Sequence, residues 1–150
     1  MSNMKAHLLD PDDVEYVWDK VEPILARVVS RSEGELETED ILDLVTEGRM
    51  QLWIVAENKE IIAALVTQII TYPQKKVLRL VSLAGEDFNK FKHFLDMVQS
   101  FAIQKDCTAL ELWGRKGWKK LLPEWKSEYI VYTKDLSLIH ISEPTRRTPI

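Results

Sequence analysis

The sequence predicts an α/β (α+β) fold, a mixed, mostly antiparallel twisted sheet flanked by helices in the order β-α-α-β-β-β-α-β-α-β. Three observations carry that prediction. Gln51 to Leu83 holds three strand-like segments separated by short turns. A long amphipathic pattern, Phe88 to Lys105, comes next and is followed by another strand-like segment, Ala109 to Trp113. Two further helical patterns precede Gln51. A chain of 150 residues, 45% hydrophobic and 29% charged, has the bulk of one globular domain.

Taken in order, Lys5 to Leu9 is a short strand. Asp10-Pro11-Asp12 is a helix start, with an N-cap carboxylate, proline in the first turn and acidic residues at the positive end of the dipole. Val14, Val17, Trp18, Val21, Leu25 and Val28 recur at helical spacing, and Pro23 within them predicts a kink or break. Ser30 to Leu36 is a polar linker. Thr38-Glu-Asp-Ile41 opens a second helix, with Ile41, Leu42, Leu44 and Val45 on its apolar side and Gly48 as its C-terminal cap. Gln51 to Glu57 is a strand, Asn58-Lys59 a tight turn, and Glu60 to Tyr72 a long apolar strand that needs cover on both faces. Pro73-Gln-Lys-Lys76 turns into a third strand, Val77 to Leu83. In the helix after it, Phe91, Phe94, Leu95, Val98, Phe101 and Ala102 take core spacing. Gly114 and Gly117 bracket the start of a short helix, Trp118 to Leu122, which Pro123 ends. Glu128 to Lys134 alternates as a final strand would.

Bulk properties narrow the function. No apolar run approaches the roughly 18 residues of a membrane span, and no signal-peptide core follows Met1. A net charge of −4 speaks against general nucleic-acid affinity. The single Cys107 excludes an internal disulfide framework and fits a reducing cytosol, so a cytoplasmic location is expected. No His/Cys/Asp spacing resembles a metal site, and neither Gly-x-Ser-x-Gly nor Gly-Lys-Ser/Thr occurs.

The C-terminus reads differently. Leu136-Ser-Leu-Ile-His-Ile-Ser-Glu-Pro-Thr-Arg146 resembles a transposase-end sequencing adapter read as codons. The expectation is a single domain over residues 1–136, with 137–150 a non-native tail excluded from fold reasoning and a metagenomic origin. Without Glu143, Arg146 and Arg147 the chain carries 18 basic and 23 acidic residues, a net −5. Sequencing the source DNA beyond codon 136 tests this, and a native frame through Ile150 would refute it.

The element order, over residues 4–135, resembles the GNAT (GCN5-related) N-acetyltransferase superfamily. Gly114-Arg-Lys-Gly-Trp118, then Leu121-Leu-Pro-Glu-Trp125 and a closing strand, resemble the C-terminal part of acetyltransferase-like proteins of tailed phages. The resemblance implies transfer of acetyl from acetyl-CoA to a small-molecule or protein amine. It implies that the strand before the long helix binds the pantetheine arm at Val81, Ser82 and Leu83. The turn after that strand would hold the pyrophosphate through backbone N–H groups at Gly85, Phe88 and Asn89, with Arg115 available to a phosphate. The narrower resemblance implies an alternative, a non-catalytic phage protein that acts with phage structural proteins in virion assembly or host interaction, located in the host cytoplasm or the virion.

The sequence also departs from the family pattern. The family's loop reads Gln/Arg-x-x-Gly-x-Gly/Ala. Arg79-Leu-Val-Ser-Leu-Ala84 fits it only with Ser82 for the first glycine, and lies inside the strand. The turn Ala84-Gly-Glu-Asp-Phe88 has one glycine and two carboxylates, which suit a helix N-terminus and repel a pyrophosphate. Leu121 and Leu122 stand near the position of the tyrosine that serves many members as general acid.

Glu111 shares a strand face with Trp113 and could serve as general base; its alternative is a carboxylate on an exposed sheet face. His93 meets a ligand or solvent. Arg115, Lys116, Lys119 and Lys120 form a basic cluster that either binds phosphate or an acidic partner or is a solvated helix face. Trp118 and Trp125 are core or interface anchors, and Cys107 is an inert, partly buried thiol.

Overall fold

The structure, a computed structural model, describes residues 4–29, 36–86, 88–112, 118–127, 132–134 and 136. The chain falls into two compact units, Met1–Arg115 and Lys116–Ile150. The first holds the five-stranded sheet. Strand β1 (Met4–Leu8) leads through a 3-10 turn (Pro11–Asp13) into helix α1 (Val14–Val29). Helix α2 (Thr38–Thr46), strands β2 (Gln51–Glu57), β3 (Glu60–Thr71) and β4 (Lys76–Gly85) follow. Next come α3 (Phe88–Phe91), a 3-10 turn (Lys92–Phe94), α4 (Leu95–Gln104) and β5 (Ala109–Leu112). In the second unit the described helix is α5, Trp118–Leu121; Leu122 is buried, and Trp125 N donates to Leu122 O at 3.1 Å. The expected final strand, Glu128 to Lys134, lies outside the described residues from 128 to 131, as does the whole tail from 137 to 150.

Sheet order follows chain order, β1-β2-β3-β4-β5. The first three pairings are antiparallel and the last, β4 with β5, is parallel. Parallel neighbours need a crossover, and the α3–α4 segment supplies it. Helices α1 and α2 bury Val14, Val21, Leu25, Ile41 and Val45 against Leu52, Ile54, Ala64, Val66 and Ala84. On the opposite face Phe88, Leu83 and Phe94 pack with Val55 and Ala63, and Phe101 meets Trp53 edge to face at 5.3 Å. The continuous apolar character of β3 is thereby explained, since both of its faces are covered. Thr67, completely buried, accepts from Trp53 Nε1 at 3.0 Å and donates to Gln51 Oε1 at 2.8 Å, so its hydroxyl is satisfied.

Local chemistry sets the ends of elements. Asp10 accepts from Asp12 N at 2.9 Å with proline in the first turn, as the N-terminal signal requires. Asp40 accepts from Glu37 N at 2.9 Å at the start of α2. Gly48, at φ +78°, closes α2 in a Schellman motif: Arg49 N donates to Leu44 O and Gly48 N to Val45 O. Asn58 and Lys59 both adopt positive φ, 52° and 71°, as a two-residue I′ hairpin demands.

Three expectations are corrected. Pro23 neither ends nor divides α1, which runs unbroken from Val14 to Val29 with Pro23 exposed; burial of Val21 and Leu25 on either side of it holds the helix together. The helix expected from Phe88 to Lys105 is one α-turn, a 3-10 turn and then a longer helix. The third strand does not stop at Leu83 but continues to Gly85, because Ala84 and Gly85 still pair with Ala64 and Ala63.

Candidate functional site

The site begins at the outer end of β4. Pairing with β5 is described from Val77–Ala109 to Leu80–Leu112, while β4 continues five residues further. From Ser82 to Gly85 the strand is paired on its β3 side, and among the described residues no strand pairs with the other edge of Val81–Gly85. A register shift between Val66 and Thr67 makes Val81 the extra residue of a bulge. Bulges increase local twist and re-aim side chains, and this one follows the last described pair of β4 with β5. Val81 is half-buried toward α1, Ser82 and Ala84 are buried, and Leu83 packs on the opposite face with Phe88. Three of the expected cofactor residues, Val81, Ser82 and Leu83, thus lie together on β4 beyond its described pairing with β5.

The turn beyond is shorter than expected. With Ala84 and Gly85 inside β4, only Glu86 and Asp87 separate β4 from α3. Gly85 has φ +153°, backbone that residues with side chains rarely adopt. Phe88 turns into the apolar layer, whereas Asn89 is exposed. Glu86, 88% exposed, lies 3.5 Å from the Arg27 guanidinium at the end of α1. One step further on, Lys90 donates to Glu57 Oε1 at 2.9 Å, and Glu57 Oε2 is buried with no hydrogen-bond partner.

Glu111 lies in β5, one residue before the last described pair with β4. Its Oε1 accepts from Arg79 Nε at 2.6 Å and its Oε2 from Tyr72 OH at 2.9 Å; Arg79 Nη2 also donates to Tyr72 OH at 3.2 Å. Arg79 and Glu111 face each other in the parallel register, each about one-fifth exposed. The carboxylate is therefore no bare group on an open sheet face. Each carboxylate oxygen accepts at least one hydrogen bond.

Arg115, Trp113, Gly114, Lys116 and Gly117 lie outside the described residues, as do the side chains of Trp118 and Lys119. His93 is exposed and stacks against Phe94 at 4.1 Å. Cys107 is buried, and desolvation raises its thiol pKa, with Lys76 opposing and Asp106 reinforcing. Sequence reasoning missed Tyr72, Arg79, Arg27, Glu57 and Lys90. A signal existed only for Arg79, a charge inside the apolar run Val77-Leu-Arg-Leu-Val81. Arg27, Glu57 and Lys90 meet their partners across 33 to 59 residues of chain, and Tyr72 reaches Glu111 across 39, which no local pattern encodes.

Comparison with solved structures places this architecture. An aminoglycoside acetyltransferase from an uncultured soil metagenomic sample superposes with a TM-score of 0.67 at 11% identity, over 89% of this chain and 97% of that one. A GNAT family acetyltransferase of Staphylococcus aureus gives 0.61 at 14% identity, over 91% and 100%. The chain has the GNAT fold. An acetyltransferase of Clostridium acetobutylicum solved with acetyl-CoA shares that GNAT fold, at TM-score 0.63 and 15% identity over 91% and 97%. No protein-family model and no curated protein matches the sequence.

Acetyl-CoA, the donor implied by the GNAT resemblance, fits this site unevenly. The edge of β4 along Val81–Gly85, with which no described strand pairs, suits an extended pantetheine arm that bonds through backbone donors and acceptors. The turn at Glu86 does not suit a pyrophosphate, because it offers carboxylates where an anion needs donors and positive charge. Among the described residues no helix is long and apolar enough to cross a membrane.

Proposed function

We propose that the chain is an N-acetyltransferase, moving acetyl from acetyl-CoA to an amine. The observation that carries this reading is the GNAT fold with a β4 that runs five residues past its last described pairing with β5, so that among the described residues no strand pairs with that edge of Val81, Ser82 and Leu83. When bound, acetyl-CoA supplies an activated acyl thioester. The chain's part is to hold the arm along β4, to aim backbone N–H groups at the thioester oxygen as charge develops there, and to align the acceptor amine. In the transfer a bond forms from the acceptor nitrogen to the acetyl carbon and the carbon–sulfur bond breaks. The nitrogen's proton passes to Glu111, directly or through water, and sulfur leaves as the thiol after taking a proton from solvent. Arg79 and Tyr72 fix the position of Glu111 for this step. The acceptor, a small molecule or a protein amine, is proposed by analogy of fold with an aminoglycoside acetyltransferase and a ribosomal-protein-alanine N-acetyltransferase.

A second reading has one specific observation in its favour. The acidic turn Glu86-Asp87 fits a non-catalytic GNAT-fold protein, whose partners would be phage structural proteins in virion assembly or host interaction. Titration calorimetry with acetyl-CoA, together with thermal shift at millimolar ligand, separates the two. Measurable heat and a raised Tm support the acetyltransferase; no heat and no shift leave the non-catalytic reading.

A further inference from the structure

Strand β1 stands at the end of the sheet, and its side chains report that edge: Lys5, His7 and Leu8 are exposed, Leu8 by 37%. The direction of its backbone groups follows from one bond. Leu9 N donates to Leu52 O at 2.9 Å, which makes Leu9 a hydrogen-bonded position of the antiparallel β1–β2 ladder. Such positions alternate with non-bonded ones. Lys5 and His7 therefore bond inward to Ala56 and Ile54, while Met4, Ala6 and Leu8 aim their N–H and C=O groups away from β2. The side chains of these three share the sheet face of Trp53 and Val55, which α3 and α4 cover. Met97, 40% exposed on α4, borders the same small cavity as Ala6 and widens the apolar rim.

We infer that β1 is the docking edge for a second copy of this chain, paired antiparallel about a twofold axis through Ala6. In this register all three outward-facing residues find outward-facing partners. Ala6 meets the second copy's Ala6, and Met4 meets the second copy's Leu8. Each such pair exchanges two hydrogen bonds. On the α4 side, apolar side chains then meet apolar ones along the whole strand. On the other side Lys5 stands opposite the second copy's His7, so the lysine-on-lysine clash that often blocks edge pairing is avoided. The contact is isologous and closes at two copies, with no route to a fibre. A pairing of five residues per strand is small beside the roughly 1,200 Å² of the least extensive stable interfaces, so association belongs at high micromolar concentration. Strand β1 lies across the sheet from β5, and the inference is independent of the acetyl-transfer reading.

Sedimentation equilibrium of the full chain, from low micromolar to submillimolar concentration, should show the mass rising towards that of two chains. Ala6→Pro removes an outward donor and none of the bonds to β2. It should hold the chain at the mass of one copy throughout, with the far-UV circular dichroism of the parent. Two cysteine variants read the register. With Ala6 on the axis, its two Cα atoms lie about 5.5 Å apart, within reach of a disulfide, whereas those of Lys5 lie beyond the limit of roughly 7 Å. Ala6→Cys should cross-link under mild oxidation at least tenfold more than Lys5→Cys, and the native Cys107 is buried. A chain that stays single at every concentration overturns the inference, as does a dimer that survives Ala6→Pro. Equal cross-linking through both positions also overturns it. Should Ala6→Pro misfold, the cysteine pair decides alone.

Discussion

Glu111 shows how much a residue's meaning depends on partners that are remote in sequence. In the sequence it is a carboxylate on a short strand. In the structure it closes a three-residue cluster with Arg79, 32 positions away, and Tyr72, 39 positions away. The register of parallel strands joined by a long crossover is set by tertiary packing, and so it could not be read locally. If Glu111 takes the amine proton, Glu111→Gln should lower kcat/KM by about 100-fold or more at unchanged donor affinity. A loss below threefold assigns the carboxylate to holding β4 and β5 together. Cys107 gives a second residue-scale prediction. Burial lifts its pKa above the ordinary 9.0, so the thiol is protonated at neutral pH and should react slowly with a disulfide reagent until the chain unfolds. The sign for stability follows: the folded state favours the neutral thiol, so its contribution is complete below the ordinary thiol pKa. It is lost as pH rises through the higher folded value. Thermal melts from pH 8 to 10.5, compared with Cys107→Ala, should show this loss only in the parent.

Element boundaries were legible where a chemical signal marks them and obscure where only periodicity does. The Asp10-Pro11 start, the Gly48 cap and the Asn58-Lys59 turn all stand where side chains or backbone freedom require them. The segment from Phe88 to Lys105 offered only apolar spacing. That spacing does not separate a continuous α-helix from one interrupted by a 3-10 turn, and the aromatic-rich run Phe88-Asn-Lys-Phe-Lys-His-Phe94 has no strong helix former beyond its lysines. Pro23 presents the converse case, a strong local signal overridden by packing. Since it removes a backbone donor from an unbroken α1 while its own side chain is exposed, Pro23→Ala should stabilise the protein by about 1–3 kcal/mol. A denaturation midpoint that stays level or falls would show that the ring has a packing role.

At the scale of the whole molecule, the sheet and its covering layers were readable because hydrophobic pattern and element order are redundant: many residues report the same fold. The site was less readable because it depends on a few contacts and on where one strand ends. Val81, Ser82 and Leu83 were put forward from the family resemblance, while the length of the turn after them was not legible in the sequence, since pairing with Ala63 and Ala64 decided it. Fold and activity accordingly separate here. The extension of β4 to Gly85 also has a consequence for how such a protein could be changed. A chain segment of fixed length is shared between ladder and cradle, and each residue hydrogen-bonded into the sheet is withdrawn from the loop that would wrap an anion. Lengthening the segment, by placing two glycines between Gly85 and Glu86, would restore slack without touching the ladder. The sheet thus acts as a ratchet on ligand choice, with register as its teeth.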